Sequence, residues 1–143
     1  MKLVDANVLL YAVNKQDPNH RAARAWLEMA LSGVETIGFT WQVLLAFLRI
    51  STSPQRFSAP LSVGGATHYV QDWLQQEPAT VVEPTPRHLD LLTGLLDDSG
   101  TAGNLVSDAH LAALALEHAA TLASFDRDFL RFRGIRLEVP SLP

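Results

Sequence analysis

The sequence contains no cysteine, which excludes a disulfide framework, thiolate zinc, iron–sulfur ligation and a cysteine nucleophile. It has no apolar run near the roughly 18–20 residues that a membrane-spanning helix needs. The opening MKLVDANVLLYAV is interrupted by Asp5 and Asn7, so it does not read as a secretion signal. We therefore expect a soluble, cytoplasmic chain with no membrane association. Positive charge is scarce as well: 11 Lys and Arg stand against 15 Asp and Glu, a formal net charge of −4. A passive nucleic-acid-binding module gains affinity by neutralising phosphates and is expected to be basic. A nuclease that holds cations on clustered carboxylates escapes that expectation, because the bound ions restore positive potential locally. One further absence is local: no acid occurs from Thr36 to Gln71.

What is present is enough for a core. The 143 residues are 48% hydrophobic and only 18% charged, which suits one compact domain spanning residues 1–143. Short apolar runs alternate with helical periodicity along the chain. Strands are expected at residues 2–5, 36–39, 80–83, 121–124 and 135–139. Helices are expected at 7–13, from His20 to about Ala30, at 41–50, 62–76, from Pro86 to about Asp98, and at 104–119. A flexible loop is expected at residues 99–103, and a helical turn at 126–129. Strands alternating with helices predict an α/β fold with a mainly parallel central sheet flanked by helices.

In such a sheet, functional groups gather at the carboxyl ends of the strands. Asp5 ends the first expected strand, Asp126 follows the strand TLAS, and Asp108 falls in the first turns of the last long helix. Carboxylates gathered this way repel one another unless they share protons or a cation. With no cysteine and no paired-histidine spacing, a hard, oxygen-preferring ion is the natural occupant, Mg²⁺ or Mn²⁺. Each acid also has a plainer reading. Asp5 alone reads equally well as a helix cap, and Asp108 as a first-turn acid complementing the helix dipole. Asn104 is the expected cap of that helix, which leaves Asp108 for ligation. The five histidines share no spacing and read as ordinary helix residues. Trp26, Trp41 and Trp73 fall on apolar helix faces and read as core or interface.

Three stretches carry a resemblance: VDANVLLYA from Val4 to Ala12, GNLVSDAHLAALA from Gly103 to Ala115, and SFDRDF from Ser124 to Phe129. In this order and at this spacing they resemble the signature blocks of PIN-domain ribonucleases, most of all the VapC-type toxins of bacterial toxin–antitoxin pairs. The resemblance implies that Asp5 and Asp108 are the principal metal ligands and that Asp126 completes the site. It implies supporting roles for Asn7, Asn104 and Ser124, and makes Asp128 an outer carboxylate. It further implies an Mg²⁺-dependent endoribonuclease that leaves 5′-phosphate and 3′-hydroxyl ends and is neutralised by a small antitoxin protein, with a homodimer expected. Arg49, Arg127, Arg131 and Arg133 suit contacts to the phosphates of an RNA substrate.

The chain departs from the family at one place. Members usually carry a glutamate on the helix corresponding to residues 41–50, where this sequence has no acid; Ala46 or a neighbour takes that place, and Gln42 offers a neutral oxygen. Glu117 is a poor substitute, because nine residues at about 100° each put it on the helix face opposite Asp108. The departure keeps a second reading open, a catalytically weak PIN-like module that binds RNA or a protein partner without cutting.

Overall fold

The computed structural model describes residues 1–100 and 102–143. Among these, five strands form one sheet, with six α-helices around it. The strands are β1 (Lys2–Val4), β2 (Ile37–Phe39), β3 (Ala79–Val81), β4 (Thr121–Ala123) and β5 (Leu137–Glu138). The helices are α1 (Ala6–Val13), α2 (His20–Leu31), α3 (Trp41–Ser51), α4 (Val63–Leu74), α5 (His88–Ser99) and α6 (Val106–Glu117). Short 3₁₀ turns cover Gly103–Leu105 and Arg127–Arg131.

Every strand pairing is parallel, in the order β3-β2-β1-β4-β5. The α/β fold with a parallel sheet expected from the alternation is therefore present. The order carries functional weight. From β1 the chain builds outward through β2 and β3, then crosses to the other side for β4 and β5. The direction of winding reverses between β1 and β4, and open α/β sheets bind ligands at such a reversal, outside the carboxyl ends of the strands.

The core follows from the sequence pattern. Leu3, Val4, Ile37, Phe39, Leu122 and Ala123 are buried in the sheet, against Val8 and Leu9 of α1, Leu44 and Phe47 of α3, and a run from Leu111 to Ala115 in α6. Burying such side chains contributes roughly 1.5–3 kcal/mol each for the larger ones. β2 needs its glycine: a Cβ at Gly38 would collide with the side chains of Leu3 and Val82. Among the described residues, no helix is long and apolar enough to cross a membrane.

Several local expectations are corrected. β1 stops at Val4, and Asp5 serves as the N-cap of α1, its Oδ1 accepting from the Ala6 N–H at 2.7 Å. α5 runs on through Ser99, inside the span expected to be a loop; Thr101 of that span lies outside the described residues. α6 begins at Val106 rather than Asn104, because a 3₁₀ turn precedes it, and no side chain caps either element. The expected cap role of Asn104 is thus absent. At its other end α6 stops at Glu117, and Ala119 takes a left-handed conformation, φ 51°, that turns the chain into β4. Trp26 and Trp73 are buried, but Trp41 at the start of α3 is half exposed.

Candidate functional site

The pairing of β1 with β4 aligns Val4 with Ala123, and the Asp5 N–H extends that ladder by donating to the Ala123 carbonyl at 3.0 Å. Asp5 and Ser124 therefore leave the sheet side by side at the winding reversal. Because α6 feeds β4, its first turn, which carries Asp108, lies at the same edge. Asp126 follows β4 and caps the turn Arg127–Arg131, accepting from the Asp128 N–H at 2.8 Å.

A tight polar cluster fixes Asp5. The Ser124 hydroxyl donates to Asp5 Oδ2 at 2.6 Å, and Asn7 Nδ2 donates to the same oxygen at 3.0 Å. Asn7 Nδ2 also donates to Ser124 Oγ at 3.0 Å, while its Oδ1 accepts from the Phe125 N–H at 3.2 Å. The Asp126 N–H donates to Ser124 Oγ at 3.0 Å. Asn7 and Ser124, which are 117 residues apart, thus lock the start of α1 to the segment after β4. Ser124 is fully buried, so its hydroxyl serves this cluster alone.

The electrostatics are those of crowded carboxylates. Burial pushes the Asp5 carboxyl above the usual carboxylate range, partly offset by the Ser124 and Ala6 hydrogen bonds, and the nearby charges of Asp108 and Asp126 push it further. Burial likewise raises Asp108, as do Asp126 and Asp128, while Arg131 acts to lower it. Among the described residues, no three His, Asp or Glu side chains stand close enough to ligate one ion as they are placed. The three acids sense one another without closing on a common point.

A cleft of about 600 Å³ opens between α3 and α6 at this edge. Asp5 and Asp108 line it, with Gln42, Ala46 and Arg49 from α3. Its donors fit a hard divalent cation: every candidate ligand is an oxygen, and the set includes a buried Gln42 Oε1 that has no hydrogen-bond partner. Asp126 lies outside the cleft lining and is coupled to Asp5 and Asp108 through space. Asp128 is exposed, its carboxylate 3.8 Å from Arg131. Asn104 is exposed in the turn before α6 and takes no part in the Asp5 cluster. Of the four arginines, Arg49 faces the cleft and Arg131 lies within electrostatic reach of Asp108; Arg127 and Arg133 are exposed.

A second polar cluster gave no signal in the sequence. The fully buried Glu117 carboxylate accepts from the Thr85 N–H and hydroxyl and pairs with His88 Nδ1 at 3.1 Å. His88 Nε2 in turn bonds His110 Nδ1 at 2.8 Å, joining α5 to α6. His110 and Glu117 share one face of α6, seven residues apart, but Thr85 and His88 come from another part of the chain, so only packing brings the four together. Glu117 does point away from the Asp108 cleft, as its helical position predicts.

A parallel sheet with acids gathered at its winding reversal defines the class, and the family comparison agrees: the PIN-domain model matches residues 2–135. The chain belongs to the PIN-domain family. Among named relatives, it is 51% identical to Ribonuclease VapC37 of Mycobacterium tuberculosis over 98% of this chain and 97% of that protein. It is 43% identical to Ribonuclease VapC33 of the same species, over 98% of both. Solved structures share the fold at low identity. VapBC2 from Rickettsia felis, bound to a promoter DNA fragment, gives a TM-score of 0.69 at 20% identity and 96% coverage of both chains. Mycobacterium tuberculosis VapC20, a sarcin–ricin loop cleaving toxin, gives 0.68 at 17% identity, covering 95% of this chain and 99% of that one.

Proposed function

We propose that this protein is an Mg²⁺-dependent endoribonuclease, the toxin of a toxin–antitoxin pair. The observation that carries the reading is that Asp5 and Asp108 line one cleft at the winding reversal, both carboxyls raised by burial and by nearby acids. Carboxyls perturbed by burial and by neighbouring charges in a cleft are a mark of functional sites. The names of the full-length relatives, both ribonucleases, supply the substrate class.

Asp5, Asp108 and Asp126 are the residues to hold Mg²⁺ or Mn²⁺. When bound, such an ion acidifies a water and polarises the phosphoryl oxygens. The chain's own groups do the rest. Asn7 and Ser124 hold Asp5 in one orientation, so the carboxylate is preorganised rather than searching rotamers. Asp126 is held the same way by its capping bond to the Asp128 N–H. Arg49, which lines the cleft, and Arg131, within electrostatic reach of Asp108, would receive phosphate oxygens. Trp41 and Leu45, one turn apart on α3, remain about half exposed, and Leu45 lines the cleft. This apolar surface supports an antitoxin or homodimer contact.

The test is RNA cleavage by the purified chain with Mg²⁺, Mn²⁺ or chelator, followed by sequencing of RNA 5′ ends, with Asp5→Asn as control. Metal-dependent cuts absent from Asp5→Asn support the reading. One observation favours a second reading, a binding module that does not cut: α3 brings no acid into the cleft, where Ala46 stands. RNA retention without cleavage at any Mn²⁺ concentration would establish that alternative.

A further inference from the structure

Gln42 sits in the first turn of α3, just after Thr40, whose buried hydroxyl caps the helix by accepting from the Val43 N–H at 3.2 Å. Its backbone is therefore fixed. Its side-chain amide is fixed too, because Nε2 donates to the Ser107 carbonyl at 3.1 Å. A carbonyl only accepts, so the amide's orientation follows from chemistry: the group facing Ser107 is the NH₂, and the other atom is the oxygen. That oxygen is shielded from solvent and accepts no hydrogen bond. A buried acceptor left unmatched carries the cost of its lost hydration, and such groups in native proteins call for a partner. Gln42 lines the same cleft as Asp5 and Asp108.

We propose that Gln42 Oε1 is a neutral oxygen ligand for the divalent cation of the Asp5–Asp108 cleft, supplied by α3 in place of a carboxylate. The proposal rests on the metal-dependent reading above and names a residue of that same site. It accounts for both halves of the amide. Nε2 pins the first turn of α6 at the residue before Asp108, and Oε1 is thereby turned away from Ser107. It also fits the charge of the cleft. Asp5 and Asp108 already bring two carboxylates to the cleft, and a neutral ligand adds an oxygen without adding to their repulsion. The consequence is a more weakly held ion, because ligand charge is a main determinant of retention.

The experiment uses the full chain and Mn²⁺ alone, with no RNA. Calorimetry gives the affinity, and water-proton relaxation gives the waters bound directly to Mn²⁺, for wild type, Gln42→Met and Gln42→Glu. Thermal melting in metal-free buffer checks that each variant folds. Gln42→Met should weaken binding on the order of tenfold and add a directly bound water. Gln42→Glu should tighten binding, although it too loses the N–H donor to Ser107. Equal weakening in both variants with unchanged hydration would mean that Gln42 only anchors α6, and the proposal falls. Wild-type affinity and hydration in Gln42→Met would overturn it as well. A folded wild type that binds no Mn²⁺ would overturn the proposal together with the functional reading; the other two failures leave that reading standing.

Discussion

Two regions of this small sheet concentrate charge, and they do so in opposite ways. Around Lys2, at the start of β1, unlike charges are paired: its ammonium lies 2.7 Å from Glu138 and 3.7 Å from Glu35, and Trp26 Nε1 donates to Glu138 at 2.7 Å. Burial acts to raise the Glu138 carboxyl, but the Lys2 and Trp26 hydrogen bonds outweigh it and hold the group below its ordinary value. Just beyond the carboxyl ends of β1 and β4, Asp5, Asp108 and Asp126 crowd like charges; burial and the nearby acids raise Asp5 and Asp108. One region uses its charges for stability. The other stores electrostatic repulsion that a cation can relieve, an arrangement that costs stability and suits function.

Replacing an acid in the crowded region tests this contrast most severely. Asp5→Asn should reduce RNA cleavage by more than about a hundredfold, if loss of a ligand matters at least as much as loss of the groups that orient one. The same change removes a charge whose ionisation is opposed by burial and by the neighbouring acids, so it should lessen the pH dependence of metal-free stability. The sign follows from linkage. A carboxyl whose folded pKa is raised binds its proton more tightly in the native state. Its ionisation therefore erodes stability as pH rises from the ordinary carboxylate range through the raised value. Asp5→Asn should flatten that fall in denaturant titrations across pH. A variant whose stability falls with pH as steeply as the wild type's would break the comparison.

A divalent cation should erase part of the difference between the regions. Mn²⁺ at about a hundred times its dissociation constant should stabilise the wild type by roughly 2.7 kcal/mol, and should leave an Asp5→Asn/Asp108→Asn double variant nearly unmoved in thermal melts. Equal stabilisation of both proteins would place the ion elsewhere.

In the paired region the signs reverse. Glu138→Gln should cost about 1 kcal/mol, near the upper end for partly exposed ion pairs, and lower the melting temperature by roughly 2–4 °C for a chain of this size. Because the folded Glu138 pKa is depressed, its contribution is present above the ordinary carboxylate value and is lost as pH falls through the folded one. The variant should therefore differ from wild type at neutral pH and converge with it in acid.

The smallest expected effect sharpens the crowded region. Ala46 lines the cleft one turn after Gln42, so Ala46→Glu adds a carboxylate where α3 has none. It should lower the metal concentration for half-maximal cleavage by a few-fold, on the order of the gain expected for one extra charged ligand. An unchanged metal-activation curve in a normally folded variant would show that position 46 does not reach the ion.

Much of this molecule was legible along the chain. Alternating apolar runs and helical spacing announce the α/β layers, and the three motif blocks single out Asp5, Asp108, Asp126, Asn7 and Ser124. Those features are local: a strand's apolar run, a helix's period and a motif's spacing are each written within a dozen residues. Local reading fails where two local rules compete. Asn104 is a good cap by residue type, yet the 3₁₀ turn in front of α6 leaves it exposed. Asp5 reads as cap or ligand, and the structure shows its Oδ1 capping α1 while Oδ2 meets Ser124 and Asn7.

What the sequence by itself determined is which residue types are available: oxygen donors without a single thiol, a parallel α/β alternation, and an α3 with no acid. Only the tertiary structure decided which of them meet. The strand order β3-β2-β1-β4-β5 sets β4 beside β1, and that pairing brings Ser124 within hydrogen-bonding distance of Asp5 across 119 residues. The approach of Ser107 to the first turn of α3 turns the Gln42 amide toward its carbonyl and leaves the Gln42 oxygen buried and unmatched. Packing of α5 on α6 brings His88 to His110 and Glu117, a meeting that no spacing within α6 could announce. The physical reason is common to all three. Periodicity specifies which face of an element is apolar, but the partner of a polar side chain depends on which elements lie side by side, and that is settled by the burial of the whole core.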